Sequence, residues 1–189
     1  MSEARDTWGR FSIALHWLTF LLVLSLAVIG LSMVELPTGV LKLKVYALHK
    51  SLGLTVLALT ALRLLWRLFE RRPAMLAAPR WQNALATLTH YGLYALLLLV
   101  PLSGWWFNST AGFPLKWFGL FKLPPLGGFD LAIKQVARDR HEFLFWLLAA
   151  TVALHAAAAL WHHYRVRDRT LARMLPWLRA PSPPSKESP

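Results

Sequence analysis

The chain contains no cysteine. That excludes disulfides, thiolate-ligated iron–sulfur clusters and covalent c-type haem attachment, and leaves histidine, carboxylate or methionine as metal ligands. Charge is also scarce. Asp, Glu, Lys and Arg make up 16% of the 189 residues while 56% are hydrophobic, against roughly a quarter charged in an ordinary soluble domain. A water-soluble fold of one domain's length cannot hide that much apolar surface, so the composition points to a membrane. Acidic residues are rarest of all, nine against 21 Lys and Arg, for a net charge of +12. Such a balance can mark a nucleic-acid binder. Here the cations fall between long apolar runs, so they read as topology and lipid-headgroup charges, and no nucleic-acid partner is expected.

What is plentiful is apolar sequence. A spanning helix needs about 20 apolar residues, and four candidates appear, at 11–34, 43–68, 84–107 and 139–164. The run Phe11 to Val34 carries no charge, outlasts a secretory signal's apolar core and holds His16, so it reads as a retained first helix. The second candidate has a short charge-free centre, Ser51 to Leu62. It reaches spanning length if Lys44, Lys50, Arg63 and Arg67 extend along its ends toward the interfaces. Pro101 and Gly104 predict a local kink in the third. The fourth begins within the charged stretch Arg138 to Glu142. The connection from Asn108 to Arg138 is long and rich in Pro and Gly, which usually signals function. Its Phe129 to Val136 stretch is expected to form a separate short amphipathic helix.

The expected fold class is all-α, an integral membrane four-helix bundle. It divides into a cytoplasmic N-terminus (1–10), a four-helix transmembrane domain (11–176) and a disordered Pro- and Ser-rich cytoplasmic tail (177–189). Orientation follows from the basic residues. Arg5, Arg10, Arg63, Arg67, Arg71, Arg72, Arg80, Arg165, Arg167, Arg169, Arg173, Arg179 and Lys186 gather on one side. They outnumber Lys42, Lys44, Lys50, Lys116, Lys122, Lys134, Arg138 and Arg140 on the other. Both termini are therefore expected in the cytoplasm. The far side stays net basic even after Glu35, Asp130, Asp139 and Glu142 are counted against it.

The seven histidines, His16, His49, His90, His141, His155, His162 and His163, carry the chemistry. An ionisable side chain inside a span is expensive and marks function by default, although one alone can equally be a helix–helix hydrogen bond. His141 and His155 stand 14 positions apart in the fourth candidate, about 21 Å and close to four turns. Both therefore project from one stripe, one near each membrane surface, which suits two haems stacked across the bilayer. Depth then pairs His16 with His155 and His49 with His141 as axial iron ligands. Bis-imidazole ligation leaves no open position on the iron and favours electron transfer over oxygen binding. His90, at the depth of the first pair, could replace either member or bond a propionate. His162 and His163 are closer to water and suit propionate, lipid phosphate or quinone. Arg10, Lys50, Arg63, Arg67, Arg138 and Arg140 are candidate propionate partners, although each could equally be a boundary residue. Most of the ten Trp residues fit interfacial belts, while Trp105, Trp106 and Trp117 could also line a quinone pocket.

The ordered set His16-Trp17-Leu18, His49-Lys50-Ser51-Leu52-Gly53, His90 with Tyr94, Pro101 and Gly104, and His141-Glu142 resembles the bacterial cytochrome b-561 family. Leu154-His155-Ala156, His162-His163-Tyr164 and the run from Asp168 to Pro176 continue the likeness, which spans roughly residues 8 to 176. The resemblance implies two b haems, a bacterial inner-membrane location and electron exchange with ubiquinone. It supports His16, His49, His141 and His155 as ligands. Small stand-alone members include superoxide:ubiquinone oxidoreductases, which makes that activity the specific expectation; no catalytic residue is singled out. Two other functions remain: a b-haem relay subunit for a separate dehydrogenase or redox partner, and a non-haem membrane metal transporter or scaffold.

Overall fold

The structure, a computed structural model, describes residues 7–70, 73 and 78–178. Arg5, Arg71, Arg72, Arg179 and Lys186, with most of the expected N-terminal segment and tail, lie outside the described residues. Four long helices form the body: α1 (Arg10–Met33), α2 (Val40–Phe69), α3 (Arg80–Thr110) and α4 (Leu131–Trp161), the last continued by one π-helical turn, His162–Val166. All four are long and apolar enough to cross a membrane. Their outward faces carry exposed large apolar side chains, such as Leu21, Leu24 and Val28 on α1 and Phe143, Trp146 and Leu154 on α4. Helices suit this setting because every backbone polar group is satisfied within the segment.

α2, α3 and α4 run past their apolar stretches. α2 begins before Lys42 and Lys44, and α3 begins at Arg80, before Gln82 and Asn83. α3 also continues beyond Pro101 to Thr110. The largest departure from expectation is at α4. The segment Phe129 to Val136 is not a separate helix; its residues from Leu131 form the first turns of α4 itself. Asp130 is the reason. Its carboxylate accepts the Ala132 and Ile133 N–H groups at 2.9 and 3.2 Å, satisfying two orphan donors and starting the helix there.

The loop between α3 and α4 is thereby shortened, and it is ordered. A two-stranded antiparallel hairpin, β1 (Leu115–Trp117) and β2 (Phe121–Leu123), fills its centre. At the tip, Phe118 (φ 47°) and Gly119 (φ 76°) both lie at positive φ, the sign pattern of a type I′ turn. α2 holds the hairpin down. Ser51 Oγ accepts the Phe118 N–H at 3.0 Å, and Thr55 Oγ1 accepts the Trp117 indole N–H at 3.1 Å. The loop is closed at its base where the Asp130 N–H meets the Thr110 carbonyl at 3.0 Å.

Side by side, α1 packs on α2, α2 on α3 and α3 on α4. Buried hydroxyls Thr19, Ser51 and Thr60 return their protons to carbonyls one turn back, so small polar residues line the contacts at no hydrogen-bond cost. Midway along the bundle, Val56, Leu96, Leu97 and Leu148 are buried together, with Leu22, Leu26 and Val152 packed against them. α4, by contrast, packs closely on α3 alone among the other helices and stands off from α1 and α2.

The end where α1 begins and α4 finishes is tied by polar contacts. Glu70 accepts the Gly9 N–H at 3.0 Å and the Ser12 hydroxyl, pinning the start of α1 to the end of α2. The Trp17 indole N–H donates to the Met174 carbonyl at 2.9 Å. His162 Nδ1 meets Asp168 Oδ2 at 2.6 Å, and the Thr170 N–H donates to Asp168 Oδ1 at 2.8 Å. Partial burial alone would push the Asp168 carboxyl up, but hydrogen bonds from the Thr170 hydroxyl and N–H and from His162 outweigh it and hold the group below its ordinary value. A carboxyl depressed in the folded state stabilises the fold above its unfolded pKa and loses that contribution as pH falls through the lowered value. The turn after α4 is therefore expected to loosen in acid, and Asp168→Asn to loosen it at neutral pH and flatten the dependence. Hydrogen exchange over residues 168–178 as a function of pH reads both effects.

Candidate functional site

The gap between α4 and the α1–α2 pair is spanned by imidazoles at two levels. His16 on α1 faces His155 on α4 with ring centres 6.4 Å apart and planes at 73°. His49 on α2 faces His141 on α4, also at 6.4 Å, with planes at 89°. Helix direction explains the matching depths. α1 enters and α4 leaves at one end, placing His16 and His155 there. α2 begins and α4 enters at the other, placing His49 and His141 there. The buried apolar cluster lies between the two levels.

The common spacing has a chemical meaning. A metal bound to two imidazole nitrogens at about 2 Å each, on opposite sides, puts the ring centres roughly 6.3 Å apart. Both pairs match that distance, and both bridge the slot where α4 stands away from α1 and α2. These residues fit an iron-bearing cofactor that each imidazole pair would hold between its two rings. His90 does not fit the same geometry opposite His155: their ring centres are 5.4 Å apart, too close for two imidazoles on opposite sides of one metal.

The local sequence makes room for the rings. A Cβ added at Gly104 of α3 would lie 3.0 Å from His141 Cε1, and one at Gly30 of α1 would lie 3.1 Å from His49 Cε1. Glycine is what lets each backbone come this close to an imidazole. His141 is also oriented from behind. Its Nδ1 lies 3.0 Å from the Val100 carbonyl oxygen and 3.0 Å from Ser103 Oγ, and the Ser103 hydroxyl itself donates to Val100 O. A carbonyl can only accept, so His141 carries its proton on Nδ1 and presents Nε2 as a free lone pair, the form a metal takes. His49 Nδ1 is buried with no partner among the described residues. These orienting groups were not anticipated from sequence. Only the glycines carry a signal, as glycine inside an apolar span.

The remaining candidates divide. Lys50 donates to Asn108 Oδ1 at 3.1 Å, and Asn108 donates in turn to the Phe113 carbonyl, tying α2 to the loop beside the His49 level. Arg10 and Arg138 are exposed. His162 is engaged by Asp168, while His163 Nδ1 is buried without a partner among the described residues. The Trp105 indole donates to the Pro124 carbonyl at 2.9 Å, and Trp117 is held by Thr55, so both brace the loop. Ala47, Leu48, Ser51, Lys116, Phe118 and Gly119 line an open cleft of about 320 Å³ between α2 and the hairpin.

Imidazole pairs at metal-bridging distance inside a four-helix membrane bundle define the class of b-type membrane cytochromes. Sequence comparison narrows this. The profile of the prokaryotic cytochrome b561 family matches residues 7–177, and the chain belongs to that family. Relatives include cytochrome b561 homolog 2 of Escherichia coli K12, 32% identical over 173 residues covering 90% of this chain and 92% of that protein. Cytochrome b561 homolog 1 of the same organism is 33% identical over 177 residues, covering 90% and 98%. A Yersinia pestis protein named "Probable superoxide oxidase CybB" is 32% identical over 175 residues, covering 89% and 96%. Membership makes this chain an integral membrane, b-haem-binding protein of electron transport.

Proposed function

We propose that this chain is a dihaem transmembrane cytochrome that oxidises superoxide at the face bearing the hairpin and passes the electrons to ubiquinone. The observation that carries the reading is the repeated 6.4 Å imidazole spacing at two levels. His16 with His155, and His49 with His141, would each hold the iron of one of two b haems. Bound haem supplies a one-electron couple at each level. His90, too close to His155 for the two to ligate one iron from opposite sides, is assigned no iron. Val100 and Ser103 orient His141, and the buried leucine–valine cluster keeps water out between the levels.

The reaction balances without further reagents. Two superoxide anions each give up one electron and leave as dioxygen; one ubiquinone takes two electrons and two protons to become ubiquinol. Lys44, Lys116, Lys122, Arg138 and Arg140 are exposed on the hairpin side and favour approach of an anion. The relative named as a superoxide oxidase supports the same substrate. The bacterial inner membrane is the setting that holds ubiquinone. The Lys and Arg excess at the opposite end supports a cytoplasmic position for both termini.

Stopped-flow mixing of the oxidised protein with superoxide is expected to give reduced b-type bands within the mixing experiment, followed by ubiquinol when ubiquinone is present. The reduction rate should fall as salt rises, because a steered anion is screened over a Debye length of about 10 Å at 0.1 M. A paired b-haem spectrum that superoxide leaves oxidised would turn the assignment to the second reading, an electron-relay subunit. The exposed Phe118, Leu120 and Phe121 at the hairpin favour that alternative, as a surface for a redox partner. A bare-metal transporter has less to stand on: among the described residues no group of three or more His, Cys, Asp or Glu is placed to hold an ion.

A further inference from the structure

Two arginines near the His16–His155 level are gathered over a single aromatic ring. Arg63 and Arg67 stand one turn apart on α2, on one face. Their guanidinium carbons both lie 5.4 Å from the centre of the same ring, Tyr94 of α3. Both side chains are only partly exposed. Among the described residues, no carboxylate forms an ion pair with either. The carboxylate whose charge bears on Arg63, that of Glu70, is occupied by the Gly9 N–H and the Ser12 hydroxyl. A cation at the end of a span ordinarily reaches outward to water and headgroups on its own. Here two like charges are instead folded together over one neutral ring, where they repel each other. Arg63 lies 14 residues beyond His49 on α2, about 21 Å along the helix, the same interval that separates the two imidazole levels on α4.

Paired guanidinium forks with a phenol between them are built for oxygen anions, since each fork can bind a carboxylate or phosphate through two parallel hydrogen bonds. We propose that Arg63, Arg67 and Tyr94 form an anion clamp that receives the two propionate carboxylates of the haem held by His16 and His155. The proposal rests on the ligand assignment above. The two negative charges offset the repulsion between the arginines, and the Tyr94 ring keeps the guanidiniums from pairing elsewhere. A membrane phosphodiester offers the same chemistry as a propionate, and the two sources predict different results.

The test uses the full chain in lipid nanodiscs, after the haem content of the unaltered protein and of His155→Ala has been measured. A chain without haem, or with unchanged haem in His155→Ala, sinks the ligand assignment and the clamp with it. With the assignment standing, Arg63→Gln and Arg67→Gln are made singly, in the full protein and in a His141→Ala background that isolates the near-side haem. Both variants are expected to keep that haem. Removing a nearby positive charge should lower its preference for the electron, and a tenfold loss corresponds to ~59 mV for a one-electron couple. The propionate bending bands in resonance Raman should shift in the same variants. Arg63→Lys should recover most of the potential while leaving the bands shifted, because a point charge replaces a fork. Unmoved potentials and unmoved propionate bands would overturn the proposal. So would variants whose one change is fewer copurifying anionic lipids by mass spectrometry, since that result gives the clamp to lipid phosphate.

Discussion

His141→Ala is expected to halve the haem content of the purified protein and to slow superoxide-driven ubiquinone reduction by more than about 100-fold, beyond the 10–100-fold typical of losing an outer-shell partner of a metal ligand. The argument is positional. Only His49 and His141 meet at the hairpin end, and no other described imidazole contacts their pair. The other level differs, because His90 lies beside His155. His49→Ala should behave like His141→Ala, while His16→Ala and His155→Ala should remove the other haem. Pyridine haemochrome assay counts the haem, and quinol formation gives the rate. Four variants with unchanged haem would contradict the ligand assignment outright. Ser103→Ala is the useful contrast: Val100 O remains to accept the His141 Nδ1–H, so that variant should keep both haems with a smaller loss of rate.

Gly104→Leu is expected to have nearly as large an effect with no ligand touched. A Cβ at this position already stands 3.0 Å from His141 Cε1 and 3.2 Å from Nδ1. The ring cannot retreat freely, because moving it away from α3 would stretch the contacts of its Nδ1 with Val100 O and Ser103 Oγ on the same helix. Overfilling a packed site costs about 1–3 kcal/mol, and here the strain falls on ring position. The hairpin-side haem should be lost while the other stays, with helical circular dichroism unchanged. Gly104→Ala should be milder, retaining haem but altering the low-spin electron paramagnetic resonance signal of that site. Retention of both haems with unaltered signals in Gly104→Leu would show that the close approach of α3 has no bearing on cofactor binding.

The four spans and the depth-matching of the histidines could be read from sequence because both depend on long-range regularities, apolar length and a 14-residue interval. Helix ends were less legible. Hydropathy reports how much helix lies in hydrocarbon, whereas α2, α3 and α4 continue into polar surroundings through Lys42, Arg80 and Arg138. Asp130 was visible as a residue, but its capping role depends on the chain reversal that brings it to the start of α4. The hairpin was missed although Leu-Lys-Trp and Phe-Lys-Leu alternate apolar and polar residues around Gly119. Three-residue strands are too short for alternation to stand out. The Val100 carbonyl is invisible in principle, since every residue has one, and the contact of His162 with Asp168, six positions on, depends on the turn after α4.

The vertical arrangement of the histidines has an energetic corollary. About 21 Å of helix separates His141 from His155, against a hydrocarbon core of about 30 Å, so an electron handed from one level to the other moves through most of the transmembrane voltage. One elementary charge crossing completely is worth about 2.3 kcal/mol per 100 mV. Turnover in sealed vesicles should therefore respond to an imposed diffusion potential, which would wire this small protein to the cell's electrical state.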